Sequence, residues 1–168
     1  MNAIRVKQCN KNKILRICGH LKLKEIEMQL KELTTKAEML HQLPLIQQLY
    51  PDFTHQIYSD LLDEMLPNNY KQAVVFEEGE SIGLSGFWVG TKLWCGKYLE
   101  LDNVIVHPNH RSKGVGKLLT EYLNQKAVDL GCKLVALDAY TNNFPAHKFY
   151  YNLGFVPKGF HFVKFLEE

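Results

Sequence analysis

Residues 104 to 119 carry the most informative pattern in the chain, Val-Ile-Val-His-Pro-Asn-His-Arg-Ser-Lys-Gly-Val-Gly-Lys-Leu-Leu. An apolar strand leads into a proline turn, then into a basic loop with two glycines, and the loop opens into an amphipathic helix. The first N–H groups of a helix lack partners within it, and the helix dipole adds partial positive charge, so this position favours a phosphate. Three cations and two residues without a Cβ atom surround it: Arg111, Lys113, Lys117, Gly114 and Gly116.

The glycine spacing excludes two common phosphate-binding loops. A Walker loop needs a glycine where this chain has Arg111, and a serine or threonine where it has Leu118. A dinucleotide-binding loop needs a third glycine where this chain has Leu119. The pyrophosphate that this loop predicts therefore belongs to another class of ligand.

The spacing that fits is Arg-x-x-Gly-x-Gly at residues 111 to 116, preceded by Val106-x-Pro108. It resembles the acetyl-CoA loop of the GNAT family of N-acetyltransferases. A second block begins 27 residues after Gly116. Taken by itself, this block also fits an ordinary helix that ends in a Gly-Phe cap. It is similar to the family signature Asn-x-x-Ala-x-x-Phe-Tyr-x-x-x-Gly-Phe: Asn143, Ala146, Phe149, Tyr150, Gly154 and Phe155. Together the blocks give a resemblance that covers roughly residues 26 to 166.

The resemblance implies an α/β (α+β) fold, with a mixed central sheet of about six to seven strands, a splayed central strand and about four flanking helices. We expect one domain over residues 25 to 168. The first 24 residues contain seven Lys or Arg and no Asp or Glu, and we interpret them as a basic N-terminal extension. That extension is either solvated or adds a strand or a dimer contact.

Apolar periodicity and turn residues predict the individual elements. Strands are expected at residues 26–32, 73–77, 81–89, 98–106 and 134–138, with a turn at 78–80 and a closing hairpin at 155–166 around Lys158 and Gly159. Helices are expected from Thr34 or Thr35 to about Tyr50 with a kink or restart at Pro44, from Thr54 to before Pro67, and at 114–130 and 143–152.

Composition limits the setting. With 168 residues and 46% hydrophobic content, the chain can form one sizeable core. The net charge of +2 gives no reason to expect nucleic-acid binding. No apolar run approaches the ~20 residues of a membrane span, and no secretory signal is present, so we expect a cytoplasmic protein without membrane contact.

Metal binding is not predicted. The four cysteines are scattered without a Cys-x-x-Cys pair: Cys9, Cys18, Cys95 and Cys132. His107 and His110 flank Pro108, but no acidic or cysteine partner lies at ligand spacing. We interpret both histidines as polar residues of the loop.

Acetyl transfer to an amine requires a base, because a free alkyl amine is protonated at neutral pH and its deprotonation costs roughly 4 to 5 kcal/mol. Glu100 and Asp102 are two residues apart on the central strand, so they should project from one face, which Val104 should continue. In the resemblance, Glu100 aligns with the base of the histone-acetylating branch and Asp102 with an acid of the polyamine-acetylating branch. One of them is expected to be the base and the other to bind a cationic acceptor.

The departing CoA thiolate is stabilised by a proton donor, and the resemblance gives this role to Tyr150. Tyr151 is expected to pack elsewhere. The resemblance further implies that a backbone N–H near residues 104–106 holds the oxyanion. The splayed edge of that strand would pair with the pantetheine arm, to which Asn143 would also hydrogen-bond.

The implied cofactor is acetyl-CoA without a metal. Its expected contacts are Val104, Ile105, Val106, Arg111, Ser112, Lys113, Gly114, Val115, Gly116, Lys117, Asn143 and Tyr150. The acceptor is an amine-bearing small molecule or a peptide or protein, and the expected acceptor wall contains Tyr50, Asp52, Phe53, Trp88 and His161, with Phe162. A catalytically weak acyl-CoA-binding module of the same fold is the alternative, and the sequence also allows a homodimer.

Overall fold

A computed structural model of the chain describes residues 4–6 and 27–166, with side chains from residue 27 onward. The described residues form six strands: β1 (Ile4–Val6), β2 (Met28–Leu33), β3 (Lys71–Glu77), β4 (Glu80–Lys92), β5 (Gly96–Val106) and β6 (Leu134–Leu137). The α-helices are α1 (Lys36–Leu40), α2 (Leu43–Ile46), α3 (His55–Met65), α4 (Val115–Asp129) and α5 (Phe144–Asn152). Two 3-10 turns follow α3 and β5, at Leu66–Asn68 and Pro108–His110.

The strands form one mixed sheet in the order β1-β2-β3-β4-β5-β6. Every neighbouring pair is antiparallel except β5 and β6, which are parallel and are joined through α4. This confirms the α/β fold with a mixed central sheet. Within the expected extension, residues 4–6 form the edge strand β1, in agreement with the alternative that the extension adds a strand, and the other residues before 27 lie outside the described part.

Capping residues delimit the first helices. The Thr35 side chain accepts from the Glu38 N–H and starts α1, while the Thr54 side chain accepts from the Ile57 N–H and starts α3. Pro44 stands in the first turn of α2, where its missing N–H costs nothing, so the predicted restart is confirmed. The segment between Thr35 and Tyr50 is thus two short helices.

The hairpin between β3 and β4 turns in two residues. Glu78 and Gly79 both have positive φ, 51° and 91°, as a type I′ turn requires. Glu77 pairs with Glu80, so Glu80 is the first residue of β4 and not part of the turn. Strands β3 and β4 are longer than the sequence predicted because polar residues at their ends continue the ladder.

The sheet separates two apolar cores. Under α4 lies a core that includes Phe87, Leu99, Leu101, Leu119 and Leu123. Under α1, α2 and α3 lies a second core that includes Leu33, Met39, Leu62, Leu84 and Ile105. Among the described residues, no helix is long and apolar enough to cross a membrane.

A bulge in β5 changes which face its side chains occupy. Leu84 pairs with Ile105 and Gly86 pairs with Asp102, so two steps along β4 match three along β5. Asn103 takes up the extra residue with a φ of 51°. Because of this insertion, Val104 packs on the α4 side, opposite to Asp102, and the prediction that Val104 continues the face of the two acids is wrong.

Strands β5 and β6 diverge after a short ladder. Pairing runs from Tyr98 with Leu134 to Leu101 with Leu137, whereas β5 continues to Val106. The edge of β5 over residues 102–106 is therefore not covered by β6. An uncovered edge at this position is what the expected splay of the central strand requires.

The closing hairpin is the main error of the sequence reading. Residues 155–166 contain no strand, and residues 156–166 are exposed. Strand β6 is half-buried along its length, since it lies at the edge of the sheet.

Candidate active site

The basic loop has the backbone of an anion site. Ser112 and Gly114 have positive φ, 59° and 89°, and α4 starts directly after Gly114. Arg111, Lys113 and Lys117 are exposed around this helix start. The Arg111 Nε donates to the Val106 carbonyl at 3.4 Å, which ties the loop to the end of β5. The first-turn N–H groups of α4 and these cations can bind a pyrophosphate.

Gly116 has a packing role in addition to leaving room for a ligand. A Cβ there would lie 3.1 Å from Phe149 Cζ and 3.6 Å from Val106 Cγ2. The Gly116 carbonyl also accepts a hydrogen bond from the Thr120 hydroxyl at 2.9 Å. The first sequence block therefore contacts the second block directly, since Phe149 belongs to α5.

The second block forms a compact unit around Tyr150. Asn143 caps α5, with its side-chain oxygen accepting from the Ala146 N–H at 3.2 Å. The Tyr150 ring lies edge-on to Phe149 and Phe155, with centroids 5.1 Å and 5.7 Å away. The Phe155 N–H donates to the Tyr150 carbonyl at 3.0 Å and closes the helix end. The cap uses the oxygen of Asn143 and leaves its amide nitrogen as the donor for a ligand.

Burial raises the pKa of Tyr150 to about 12, so its phenol is neutral at physiological pH. Tyr151 on the same helix is 58% exposed, so the expectation that it packs is wrong. The two adjacent tyrosines thus differ in environment while sharing a helix.

Asp102 and Glu100 lie on the same face of β5, as predicted. The Trp88 indole N–H donates to Asp102 Oδ2 at 3.4 Å. Burial raises the pKa of Asp102 above its ordinary value, and the negative charges of Glu100 and Asp138 act in the same direction, while the Trp88 hydrogen bond opposes them. The Glu100 side chain is 29% exposed and lies 3.9 Å from the Lys92 ammonium.

Tyr50 lies between α2 and α3 and contacts the bulge in β5. Its hydroxyl donates to Asn103 Oδ1 at 2.6 Å, and its ring stacks on Phe53 with a centroid distance of 4.7 Å. Burial raises the pKa of Tyr50, and the nearby Asp102 charge adds to this effect. Asp52 is exposed on the turn between the two stacked rings.

His161 reaches the site through Asp138. Its Nδ1 lies 2.7 Å from Asp138 Oδ2, and Asp138 directly follows β6. The expected acceptor residues Tyr50, Trp88 and His161 are therefore near the two acids, whereas Phe162 is 88% exposed.

Three residues near the acids were not recognised in the sequence: Asn103, Asp138 and Tyr140. An asparagine inside an apolar strand was an available signal, because asparagine tolerates positive φ and disfavours strands. Asp138 and Tyr140 follow β6, and their proximity to β5 depends on the pairing of two strands distant in sequence.

The described residues contain no group of three His, Cys, Asp or Glu side chains arranged to hold a metal ion. Cys95 and Cys132 are free thiols. His110 Nδ1 lies 3.3 Å from Glu77 Oε2, so one of the two loop histidines has an acidic neighbour that sequence spacing did not reveal.

Comparisons with known proteins agree with this geometry. The sequence model of the family described as "Acetyltransferase (GNAT) family" matches residues 37–155. The uncharacterized N-acetyltransferase YhdJ of Bacillus subtilis (strain 168) is 25% identical over 139 residues, which cover 82% of this chain and 98% of that protein.

Two solved structures share the fold. The aminoglycoside N-acetyltransferase AAC(6')-Iy in complex with CoA has a TM-score of 0.72 at 22% identity, covering 88% of this chain and 99% of that one. The ribosomal-protein-alanine N-acetyltransferase from Brucella melitensis biovar Abortus 2308 has a TM-score of 0.71 at 18% identity, covering 83% and 99%.

Proposed function

Because the chain belongs to the acetyltransferase (GNAT) family and is an acetyl-CoA-dependent N-acetyltransferase, we propose that it acetylates a primary amine by direct attack in a ternary complex. The observation that carries this proposal is the β5 bulge. Before the bulge, Glu100 and Asp102 share the face of β5 that carries the contact with Trp88, and from the bulge onward the edge at residues 102–106 is not covered by β6. A cofactor along that edge and an acceptor beside Tyr50 and Trp88 would meet at the bulge.

The cofactor contacts follow from the loop and the edge. The pyrophosphate binds at the start of α4 with Arg111, Lys113 and Lys117, and the pantetheine arm pairs with the free N–H and C=O groups of residues 102–106. The Asn143 amide nitrogen donates to the same arm. A backbone N–H within 104–106 stabilises the oxyanion of the tetrahedral intermediate.

Asp102 is the proposed base. Its pKa is raised above the ordinary value by burial, which makes its carboxylate a stronger proton acceptor than that of an ordinary aspartate. Glu100, which is partly exposed, attracts the cationic acceptor. Asp102 first takes one proton from the ammonium, because only the neutral amine has a lone pair. The lone pair then forms the C–N bond to the acetyl carbon and the C–S bond breaks, and the nitrogen loses its second proton as the departing sulfur gains one.

Tyr150 assists the departing sulfur. Its pKa of about 12 lies above the ~8.5 of an ordinary thiol, so full transfer of its proton to a thiolate is uphill by several kcal/mol in the free protein. The phenol therefore acts as a hydrogen-bond donor to the sulfur as negative charge develops there. Full transfer of the proton requires that the bound cofactor change the surroundings of the Tyr150 hydroxyl.

The acceptor is proposed to be a cationic amine. The negative charges of Glu100 and Asp138 both raise the pKa of Asp102, so three carboxylates lie close enough to attract one cation. The aromatic rings of Trp88 and Tyr50 lie near Asp102 and can contact the same cation. Relatives named as aminoglycoside and ribosomal-protein-alanine acetyltransferases indicate that both small molecules and peptides fit this fold.

A panel of polyamines, aminoglycosides, amino sugars and peptides with free amines tests the proposal by thiol release from acetyl-CoA. Each amine that releases CoA should be compared with an alcohol of the same shape. The alcohol should release no CoA, because it lacks the charge that Glu100 attracts. Binding of acetyl-CoA without turnover of any amine would contradict catalysis and favour the acyl-CoA-binding alternative.

A further inference from the structure

The core under α1, α2 and α3 contains a chain of buried polar side chains. Gln72 and Tyr70 are 0% and 2% exposed, and the Gln72 Nε2 donates to the hydroxyls of Tyr58 at 2.7 Å and of Tyr70 at 3.2 Å. The next residues along β3, Ala73 and Val74, are apolar and equally buried. A buried amide is costly unless it is hydrogen-bonded, and a hydrogen-bonded network makes the core around it rigid. This network therefore restricts the position of Tyr70.

Tyr70 lies against the part of the sheet that carries Asp102. A Cβ atom on Gly86 would be 2.3 Å from the Tyr70 hydroxyl oxygen, so any larger residue there would displace the phenol. Gly86 is the residue of β4 that pairs with Asp102. Cross-strand partners point to the same face of a sheet, so the phenol occupies the space beside the Asp102 side chain. Burial raises the pKa of Tyr70, and the nearby charge of Asp102 adds to this effect, in agreement with that placement.

Two donors offset the burial of the Asp102 carboxylate, and Tyr70 contacts both of them. The first is the Trp88 indole N–H at 3.4 Å, and the rings of Trp88 and Tyr70 pack with centroids 4.9 Å apart. The second is the backbone N–H of Asn103. The Asn103 side chain accepts from Tyr50 through Oδ1 at 2.6 Å, which leaves its amide nitrogen to donate to the Tyr70 hydroxyl. The Tyr70 ring thus contacts one donor residue, and the Tyr70 hydroxyl contacts the other.

We propose that Tyr70 is a positioning residue for Asp102. Its ring orients the Trp88 indole and its hydroxyl orients Asn103, so that both N–H groups stay directed at the carboxylate. The consequence for acetyl transfer rests on the proposed role of Asp102 as the base. A carboxylate that is fixed by two donors keeps one orientation toward the incoming amine, and such positioning lowers the barrier to proton transfer.

The two tryptophans of the chain allow an optical test. Trp94→Phe leaves Trp88 as the single tryptophan, and Trp94 is exposed in the turn between β4 and β5, so this substitution should not affect Asp102. Because the Trp88 indole donates to the Asp102 carboxylate, protonation of that carboxylate should change the Trp88 emission. The titration uses neither acetyl-CoA nor an acceptor, so its outcome is independent of the proposed reaction.

Asp102→Asn in the same background identifies the transition that belongs to Asp102. Other charged or titratable groups face Asp102 or adjoin its neighbours on the surrounding elements: Glu100 of β5, Lys92 of β4, Asp138 after β6 with His161 and Tyr140, Tyr50 before α3 and Tyr70 before β3. Their signals remain in the asparagine variant, so the difference between the two titrations isolates Asp102.

Tyr70→Phe keeps the ring and removes the hydroxyl that orients Asn103. The Asn103 N–H is then directed less well at the carboxylate, which becomes less stable relative to the neutral acid. The midpoint of the Asp102 transition should therefore rise by about 0.5 pH unit or more, since hydrogen bonds to ionised groups are strong.

Gln72→Met is a second variant that does not depend on the behaviour of Tyr70→Phe. It removes the donor to the Tyr70 hydroxyl together with the buried Gln72 Oε1, which has no hydrogen-bond partner in the described part of the chain. Loss of an unpaired buried oxygen should not destabilise the fold. The midpoint of Asp102 should rise in this variant too, by less than in Tyr70→Phe.

Tyr122→Phe is the matched control, because the Tyr122 hydroxyl of α4 donates to Glu32 Oε2 at 3.1 Å on the other side of the sheet. It should lower thermal stability and leave the midpoint of Asp102 unchanged. Midpoints in Tyr70→Phe and Gln72→Met that equal the control value would show that Tyr70 only fills the core, and would overturn the proposal. A raised midpoint with an equal shift in the acidic limb of kcat/KM supports both the positioning role and the base. A raised midpoint with an unmoved limb supports the positioning of Asp102 by Tyr70 and contradicts Asp102 as the base.

Discussion

Asp102 and Glu100 share one face of β5 but differ in surroundings, and this difference predicts which acid accepts the amine proton. Asp102 hydrogen-bonds to Trp88 and has a raised pKa, whereas Glu100 lies near Lys92. A base must be ionised, so the rate should rise with pH through the raised pKa of Asp102. Asp102→Asn should lower kcat by ~10²–10⁴ and remove this acidic limb.

Glu100→Gln keeps the shape of the side chain and removes its charge, so it should raise KM for the amine and leave the acidic limb in place. The measurement is the pH dependence of kcat/KM in both variants. An Asp102→Asn enzyme that retains the wild-type limb would show that another group is the base.

Tyr150 and Tyr151 provide an internal control for the leaving-group step. Tyr150 is buried against Phe149 and Phe155, while Tyr151 is exposed. Tyr150→Phe removes only the hydroxyl, so kcat should fall by ~10²–10⁴ while acetyl-CoA affinity in calorimetry stays nearly unchanged. Tyr151→Phe should keep wild-type kinetics. Equal losses in the two variants would argue for general damage to α5 rather than proton donation.

The β5 bulge depends on the positive φ of Asn103. Glycine accepts that conformation freely, while a β-branched residue is strained there. Asn103→Val should therefore cost about 2 kcal/mol or more in urea unfolding, from strain and from the lost hydrogen bond to Tyr50. Asn103→Gly should lose only the bond, and Tyr50→Phe should cost the same amount. If valine is tolerated as well as glycine, the bulge does not rely on this residue.

The basic loop predicts a separate effect on the cofactor. Charge-assisted contacts to phosphate are strong, so Arg111→Ala should weaken acetyl-CoA binding by roughly 1.5 to 3 kcal/mol. Gly116→Ala should weaken binding and also lower stability, because its Cβ would press on Phe149 at 3.1 Å. Calorimetry and thermal unfolding separate the two effects. Unchanged affinity in Arg111→Ala would place the pyrophosphate elsewhere.

The local features of the fold were readable from the sequence because their causes are local. The caps at Thr35 and Thr54 and the loop before α4 each depend on a few neighbouring residues. The reversal of Val104 could not be derived by counting alternate residues, since one inserted residue in β5 shifts all that follow. Asp138 reaches Asp102 only through the pairing of β5 with β6.

The segment of residues 156–166 shows a different limit of prediction from sequence. Its apolar pattern predicted a hairpin, but a strand needs a partner, and the described part of the chain provides none for residues 156–166. Sequence pattern reports the tendency of a segment to form a strand. It does not report whether the partner strand lies in the same chain.

The wild-type protein should be less stable at neutral pH than a variant that lacks the carboxyl group of Asp102, its proposed base. A carboxyl group whose pKa is higher in the folded than in the unfolded state binds more protons when folded. Stability is therefore fully present below the unfolded pKa of about 3.9, and it is lost as pH rises through the raised folded pKa. At pH 7 the ionised Asp102 opposes folding. Replacing it with the neutral, isosteric asparagine, whose side-chain oxygen can still accept from Trp88, should raise the free energy of unfolding.

Asp102→Asn is thus expected to unfold at a higher temperature than the wild-type protein at pH 7 while losing activity, as is common where a site retains a buried charge for catalysis. The gain should shrink as pH falls toward the unfolded pKa, because the wild-type carboxyl then becomes neutral as well. Glu100→Gln serves as the comparison, since Glu100 is partly exposed and lies 3.9 Å from Lys92, so its replacement should not stabilise the protein. Thermal unfolding of the three proteins between pH 4 and pH 8 measures the effect. An asparagine variant that is less stable than the wild-type protein at pH 7 would mean that the ionised carboxylate is stabilised in the fold, and it would remove the physical basis for assigning Asp102 as the base.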